Sequence, residues 1–493
     1  MPLPLARLPL ALLLALTPVA AVAPPAHAIP AAPAGPVTPT ATAAPPDAAP
    51  DAPPRMDAYV RERMEATRTP GLAYAVVGPE GVEHRGLFGV DGDGAPVDEH
   101  TPFLWGSVAK PVAATAALVL AEEGRLDLDA PVEEYLPVFA GFGADPTVRD
   151  LLTQTSGLTG RTAAATSDLY GEGAPDLDAR VARIAASEPG DPGTHEYSSA
   201  NYLVLGAVLE EVTGDFGAYL SESVLEPMGM DGAFTGAAQA REAGLSAGHR
   251  TLWGVPVADA DGVDDAGAAY GYLGGDLTDL AAFARAQLEA EPPVLDAAAL
   301  ERARTGLVPV PGSAQEYGLG WRDTALSDLG EPIVFHGGST PGYVAIVVVL
   351  PERERAVVVL QNTYDMLRDG GLQAVAFGLA HLVAGGDSPS SPGTDPLYLA
   401  SVWTPTAAAA ALGAGAVAAV RARRPRPWAT GLWSAPALVA AGAAVWLTAS
   451  HGLRPALTWV PDVTVAVLAA GVLGAAVVAL RLLAHRRGGR SGA

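Results

Sequence analysis

Phe103-Leu-Trp-Gly-Ser-Val-Ala-Lys-Pro111 holds the only lysine of a 493-residue chain, Lys110, three positions after Ser107. Every other strong cation, out of 30 in all, is an arginine. Arginine replaces lysine as a surface charge but cannot release its proton, whereas a buried lysine can. On a helix, Ser-x-x-Lys sets the amine one turn above the hydroxyl on the same face. That is the arrangement of a serine nucleophile with a lysine as proton acceptor. The stretch from Val112 through Ala116, Val119 and Leu120 reads as the apolar face of a helix that opens at Ser107 and stops at Gly124. Pro111 falls in or just beyond the first turn, where a missing N–H costs least. The positive end of the helix dipole favours an alkoxide at Ser107 and pushes Lys110 toward its neutral form.

Outward from this motif the chain divides by composition. Residues 55–395 carry 51 acids against 20 bases, while the last 98 residues carry nine arginines and a single acid, Asp462. A region this acidic repels nucleic acid, which is excluded as a ligand, and disfavours anionic wall polymers. Arg7, the apolar run 8–23 and the small-x-small site Ala26-His27-Ala28 predict an export signal over residues 1–28, cleaved rather than spanning. Residues 29–54, rich in Ala, Pro and Thr, predict an extended linker. With no cysteine in the chain there is no disulfide and no thiolate site. No metal motif and no cofactor is expected, and the oligomeric state is left open.

After residue 395 three apolar stretches, about 397–420, 428–449 and 460–484, are each long enough to cross a bilayer. Arginines crowd 421–426 and 486–490, whereas only Arg454 lies between the second and third stretches. The positive-inside rule places 421–427 and the C-terminus in the cytoplasm and residues 55–395 outside. The expectation is a multi-pass protein of the cell membrane, with residues 396–493 as its membrane region.

Within 55–395, Gly71–Gly78 and 82–90 read as two strands joined by a Pro-Glu-Gly turn. Residues 333–335, Tyr343–Leu350 and 356–361 read as three more with short, antiparallel connections. Helical patterns flank them at 56–67 and 372–383. Both ends of the region thus build one sheet, and the helical middle, about 107–287, is inserted between its strands. The expected class is α+β, an antiparallel sheet covered by helices.

These residues resemble the serine β-lactamases and penicillin-binding DD-peptidases, in the branch of class C enzymes, low-molecular-weight carboxypeptidases and related esterases. The resemblance begins at Thr69-Pro-Gly-Leu-Ala and runs through the Ser107 motif, Gly124-Arg-Leu-Asp-Leu-Asp-Ala-Pro131 and Leu151-Leu-Thr-Gln-Thr-Ser-Gly-Leu158. It continues at Pro227-Met-Gly-Met230, Tyr317-Gly-Leu-Gly-Trp321 and Phe335-His-Gly-Gly-Ser-Thr-Pro-Gly-Tyr343. It implies that Tyr197, in Glu196-Tyr-Ser-Ser-Ala-Asn-Tyr202, shuttles the proton between Ser107, Lys110 and the leaving group. Ser199 stands where the family carries an asparagine that holds the substrate's acyl amide, and Asn201 is a candidate replacement. His336-Gly-Gly338 stands for the family's Lys-Thr-Gly. It implies an imidazole that donates to a substrate carboxylate or to Tyr197 and raises the local positive potential. Gly337 and Gly338 admit substrate backbone close to the strand, and the N–H groups of Ser107 and Ser339 would form the oxyanion hole. No counterpart of the class A deacylating glutamate occurs, so water is activated from the Tyr197 and Lys110 side.

The function expected is a membrane-anchored serine hydrolase acting through an acyl-enzyme on D-amino-acid peptides of the cell wall or on small esters and amides. Ser199 and His336 weigh against a β-lactamase proper. A non-catalytic penicillin-binding sensor coupled to the membrane helices is the alternative of another class. The chain has no Gly-x-Ser-x-Gly and no His-Glu-x-x-His, against an α/β-hydrolase or a metalloprotease. His195 reads as a surface-loop histidine, and the acidic run 259–265 as a solvated turn rather than a calcium loop.

Overall fold

The strand Gly71–Gly78 (β1) is buried over its whole length, and its pleat sends alternate residues into two different cores. Tyr74 and Val76 enter one core with Ile346, Val348, Val357 and Val359, while Ala73 and Ala75 enter the other with Ala345, Val347, Val358 and Leu360. A sheet apolar on both faces must be covered on both. The helices Ala52–Thr67 and Asp369–Val383 cover the first. The second packs against the helical middle of the chain, including Ala109–Glu122, Ser199–Thr213 and Leu277–Ala286. The structure is a computed structural model and describes residues 52–289, 292–387, 396–421 and 427–490. The export signal, residues 29–51 of the linker and the arginine stretch 422–426 lie outside the described residues. The first helix begins at Ala52, inside the stretch read as linker.

The main sheet has eight strands, numbered here within it: β1, β2 (Gly81–Gly89), β3 (Val308–Pro309), β4 (Glu316–Tyr317), β5 (Arg322–Leu326), β6 (Glu331–Thr340), β7 (Tyr343–Leu350) and β8 (Arg355–Gln361). Their order is β2-β1-β8-β7-β6-β5-β4-β3, antiparallel throughout. The two ends of the domain meet where β1 pairs with β8, Leu72 opposite Gln361. β6 is ten residues long, where the sequence indicated three. Its last part contains Gly337 and Gly338, which weaken any local strand signal. Pairing with β7 nevertheless carries the ladder through His336↔Val347 and Ser339↔Val344.

Beyond residue 395 lie Pro396–Arg421, Pro427–His451, the short Leu453–Trp459 and Pro461–Arg490. Three segments, Pro396–Arg421, Thr430–Ser450 and Pro461–Ala484, are long and apolar enough to cross a membrane. Leu453–Trp459 connects the second to the third and rests on the domain built around the main sheet: Arg454 donates to the carbonyls of Ser167 and Asp168 at 3.1 and 2.7 Å.

Candidate active site

Ser107 lies in a one-turn 3-10 helix, Gly106–Val108, that feeds directly into the helix Ala109–Glu122. The turn is pinned from both sides. Trp105 donates its backbone N–H to Leu273 and its indole N–H to Gly275. Gly106 has φ +54°, and a Cβ on it would sit 2.2 Å from the Ser339 nitrogen. A Cβ on Gly338 would sit 2.0 Å from the Trp105 carbonyl oxygen and 2.5 Å from the Ser107 nitrogen. β6 therefore presses its backbone onto the Ser107 turn, and glycine is required on both surfaces.

The single lysine is fully buried. Its Nζ is 2.8 Å from Ser107 Oγ, 2.7 Å from the Tyr270 carbonyl oxygen and 3.4 Å from Ser199 Oγ. The carbonyl can only accept, so it fixes one N–H and leaves the nitrogen lone pair of a neutral amine free to face Ser107. Burial pushes the Lys110 pKa down from 10.5 to about 7; the Asp168 carboxylate opposes this and the Arg322 guanidinium adds to it.

Tyr197 precedes the helix Ser199–Thr213, whose N-cap is Ser198. Burial raises its phenol to about 12, against the lowering influences of Arg322 and of a hydrogen bond with Ser107. Lys110 Nζ and Arg322 Cζ each lie 5.1 Å from the centre of the Tyr197 ring. Ser107, Lys110, Tyr197, Ser199 and Ser339 are thus gathered around one cleft of about 170 Å³.

Three expectations need correction. His336 is fully buried, with Nε2 3.2 Å from the Tyr317 hydroxyl and Nδ1 2.9 Å from the Gly337 carbonyl oxygen. It lies behind Tyr197, ring centres 6.2 Å apart, and does not line the cleft, so it is not placed to grip a substrate carboxylate. Arg322, itself buried on β5 and donating to Gln315 at 3.0 Å, adds positive potential near Tyr197. Asn201 does not replace the family asparagine. Its amide donates to Gln154 at 2.7 Å and accepts from Ser156, out of the cleft. His195 is buried against the Tyr317 ring, centres 5.1 Å apart, rather than on the surface. Burial and Arg322 lower its pKa to about 4.

Asp168 and Tyr270 escaped the sequence reading. Asp168 adopts φ +56°, and its carboxylate accepts from Tyr272 at 3.0 Å and from the Trp459 indole at 3.1 Å. The acidic run also divides: Asp259 pairs with Arg250, whereas Asp264 is wholly buried against Arg180 at 2.6 Å. Among the described residues no group of three His, Cys, Asp or Glu side chains could hold a metal ion.

Comparison with known proteins agrees with this geometry. The chain is 36% identical over 132 residues to a putative penicillin-binding protein, PbpX, of Bacillus subtilis (strain 168), covering 26% of this chain and 32% of that protein. It is 35% identical over 195 residues to esterase EstB of Burkholderia gladioli, covering 36% of this chain and 50% of the esterase. The chain thus spans between a third and a half of the length of these relatives. A D-stereospecific amidohydrolase from Streptomyces sp. superposes with a TM-score of 0.53 at 26% identity, over 64% of this chain and 98% of that one. The family profile described as Beta-lactamase matches residues 56–380, so the chain belongs to the beta-lactamase family of serine hydrolases.

Proposed function

We propose that this protein is a membrane-anchored, extracytoplasmic serine hydrolase that works through an acyl-enzyme on small esters and amides or on D-amino-acid peptides of the cell wall. The observation that carries the reading is the 2.8 Å contact between Ser107 Oγ and an amine held near neutrality. In acylation Ser107 Oγ bonds to the substrate carbonyl carbon while its proton passes to Lys110. The N–H groups of Ser107 and Ser339 stabilise the oxyanion. Collapse breaks the bond to the leaving group, which takes a proton through Tyr197. Water then attacks the acyl carbon, gives a proton to the same pair, and Ser107 leaves with its own proton restored.

The two pKa values favour Lys110 over Tyr197 as the base. They lie about five units apart, so a tyrosinate beside an ammonium is ~7 kcal/mol above phenol beside amine. Tyr197 therefore serves as a relay that stays protonated at rest. The cleft favours the ester and amide half of the substrate range. Among the described residues that line it, Asp168 is the one carboxylate, and it opposes a free C-terminal carboxylate more than a neutral acyl group.

The test is intact-mass measurement on the full chain in detergent after exposure to p-nitrophenyl acetate, a D-Ala-D-Ala peptide and benzylpenicillin. The expected result is a transient acyl adduct with repeated product release, absent in Ser107→Ala. Hydrolysis unchanged in Ser107→Ala refutes the mechanism, and one acylation without release indicates the sensor instead. The orientation is tested by protease added to intact cells, which should cut within the 29–54 linker.

A further inference from the structure

The membrane region is not only an anchor: it supplies part of the cleft. Trp459, the last residue of the helix Leu453–Trp459, lines the same cavity as Ser107, Tyr197 and Ser339. Its indole donates to Asp168 at 3.1 Å, and its ring meets Tyr364, another lining residue, edge-on at 5.4 Å. Arg454, five residues earlier, caps the carbonyls of Ser167 and Asp168. On the other side, the turn of the hairpin Gly248–Leu252/Val255–Ala260 reaches into the helix bundle. Trp253 donates its backbone N–H to Asp462 at 3.0 Å and its indole N–H to Thr406 at 2.8 Å.

These contacts set the height of the cleft. Trp459 precedes Pro461, the first residue of the third apolar segment, by two positions, and two residues reach at most ~7 Å. The headgroup layer of one leaflet is about 5–7 Å thick. Trp459 is therefore within the headgroup layer when that segment spans a bilayer. Three more of the chain's eight tryptophans lie toward the same end of the helix bundle. Trp403 and Trp446 are exposed at the catalytic-domain ends of the first and second helices, and Trp253 is wedged between the first and third. Tryptophan concentrates at this depth of a bilayer. Tyr364 and Trp459 also border a second hollow that extends to Pro461 and Asp462, toward the start of the span.

We propose that the cleft takes its substrate at the bilayer surface: an ester or amide carried on a lipid anchored in the same leaflet, passing alongside the Trp459–Tyr364 pair to reach Ser107. The inference rests on the acyl-enzyme reading of Ser107 and adds where the substrate resides.

The test uses the full chain in phosphatidylcholine vesicles and one reacting bond presented in three ways. These are free umbelliferyl acetate, the same ester on phosphatidylethanolamine through a tether of about 5 Å, and through one of about 40 Å, respectively within and well beyond the headgroup layer. The expected result is that the short-tethered ester is hydrolysed as fast as the long-tethered one, within about threefold. Trp459→Ala should raise KM for the short-tethered ester at least about fivefold more than for the free ester, leaving kcat less affected, and Trp459→Phe should recover most of that loss. Hydrolysis of the long tether but not the short one overturns the inference while leaving the Ser107 mechanism intact. Equal effects of Trp459→Ala on the free and short-tethered esters also overturn it. Failure to hydrolyse even the free ester overturns the acyl-enzyme reading, and the inference with it.

Discussion

The state of Lys110 makes the sharpest demand on the mechanism. With its pKa at about 7, about half the amine is neutral at pH 7, against ~3 in 10,000 for an ordinary lysine. Burial thus raises the fraction of competent base by about a thousandfold, or ~4 kcal/mol, and the same amount is a folding penalty at that pH. The sign follows from proton counts. Below pH 7 the folded and unfolded chains both carry the proton at Lys110, and the penalty is constant at ~5 kcal/mol. Between the folded pKa near 7 and the unfolded 10.5 the unfolded chain binds more protons, so stability from this group rises with pH. The assay is kcat/KM for p-nitrophenyl acetate from pH 5 to 9 with the full chain in detergent. The expected acid limb climbs about tenfold per unit and flattens above about pH 8. Lys110→Arg keeps the charge but not the ability to lose it, and should lower kcat/KM at least about a thousandfold. Lys110→Met should be equally inactive yet melt several degrees higher, because the buried ammonium is gone. A flat profile from pH 5 to 9, or appreciable activity in Lys110→Arg, refutes the assignment of Lys110 as base.

Two further substitutions probe the surroundings. Gly338→Ala places a Cβ 2.0 Å from the Trp105 carbonyl and 2.5 Å from the Ser107 nitrogen, forcing β6 off the Ser107 turn. kcat should fall by about 100-fold or more with the melting temperature less affected, as judged by steady-state kinetics beside thermal unfolding. Arg322→Met removes the cation that lowers both Lys110 and Tyr197, so the acid limb should move to higher pH; an unmoved limb would show that Arg322 has no part in tuning the base.

Much of this was legible in the chain because the informative residues are local in sequence. Ser107 and Lys110 share one turn, β1 and β2 share a tight connection, and the unbroken apolar runs of β7 and β8 announce strands buried on both faces. What escaped depends on long-range placement. His336 sits at the family's cationic position, yet its direction into or out of the cleft is set by Tyr317, 19 residues away. Arg322 carried no local signal, since nothing near it in sequence shows that β5 delivers it beneath Tyr197. Asn201 is two residues from the expected position on a helix, a rotation of about 200°, which turns it from the cleft to Gln154. The strands β3 and β4, the last two at one end of the sheet, have two residues each, too short for any periodicity to register.

Asp168 joins the lysine to the connecting helix Leu453–Trp459 and yields a prediction of opposite sign to that for Arg322. Burial raises the Asp168 pKa, while hydrogen bonds from Tyr272 and Trp459 hold it down, and the resulting negative charge raises Lys110. Trp459→Phe keeps the aromatic wall but deletes the indole N–H that reaches Asp168 at 3.1 Å. The carboxyl then protonates more readily, its support for the ammonium weakens, and the acid limb of kcat/KM should move to lower pH. Simple loosening of the cleft gives the reverse, because admitted water relieves the burial that depresses Lys110 and returns it toward 10.5. The direction of the shift therefore separates an electrostatic link from structural damage. An upward shift in Trp459→Phe, or none while Arg322→Met does shift, would show that Asp168 does not carry the influence of the connecting helix to the base.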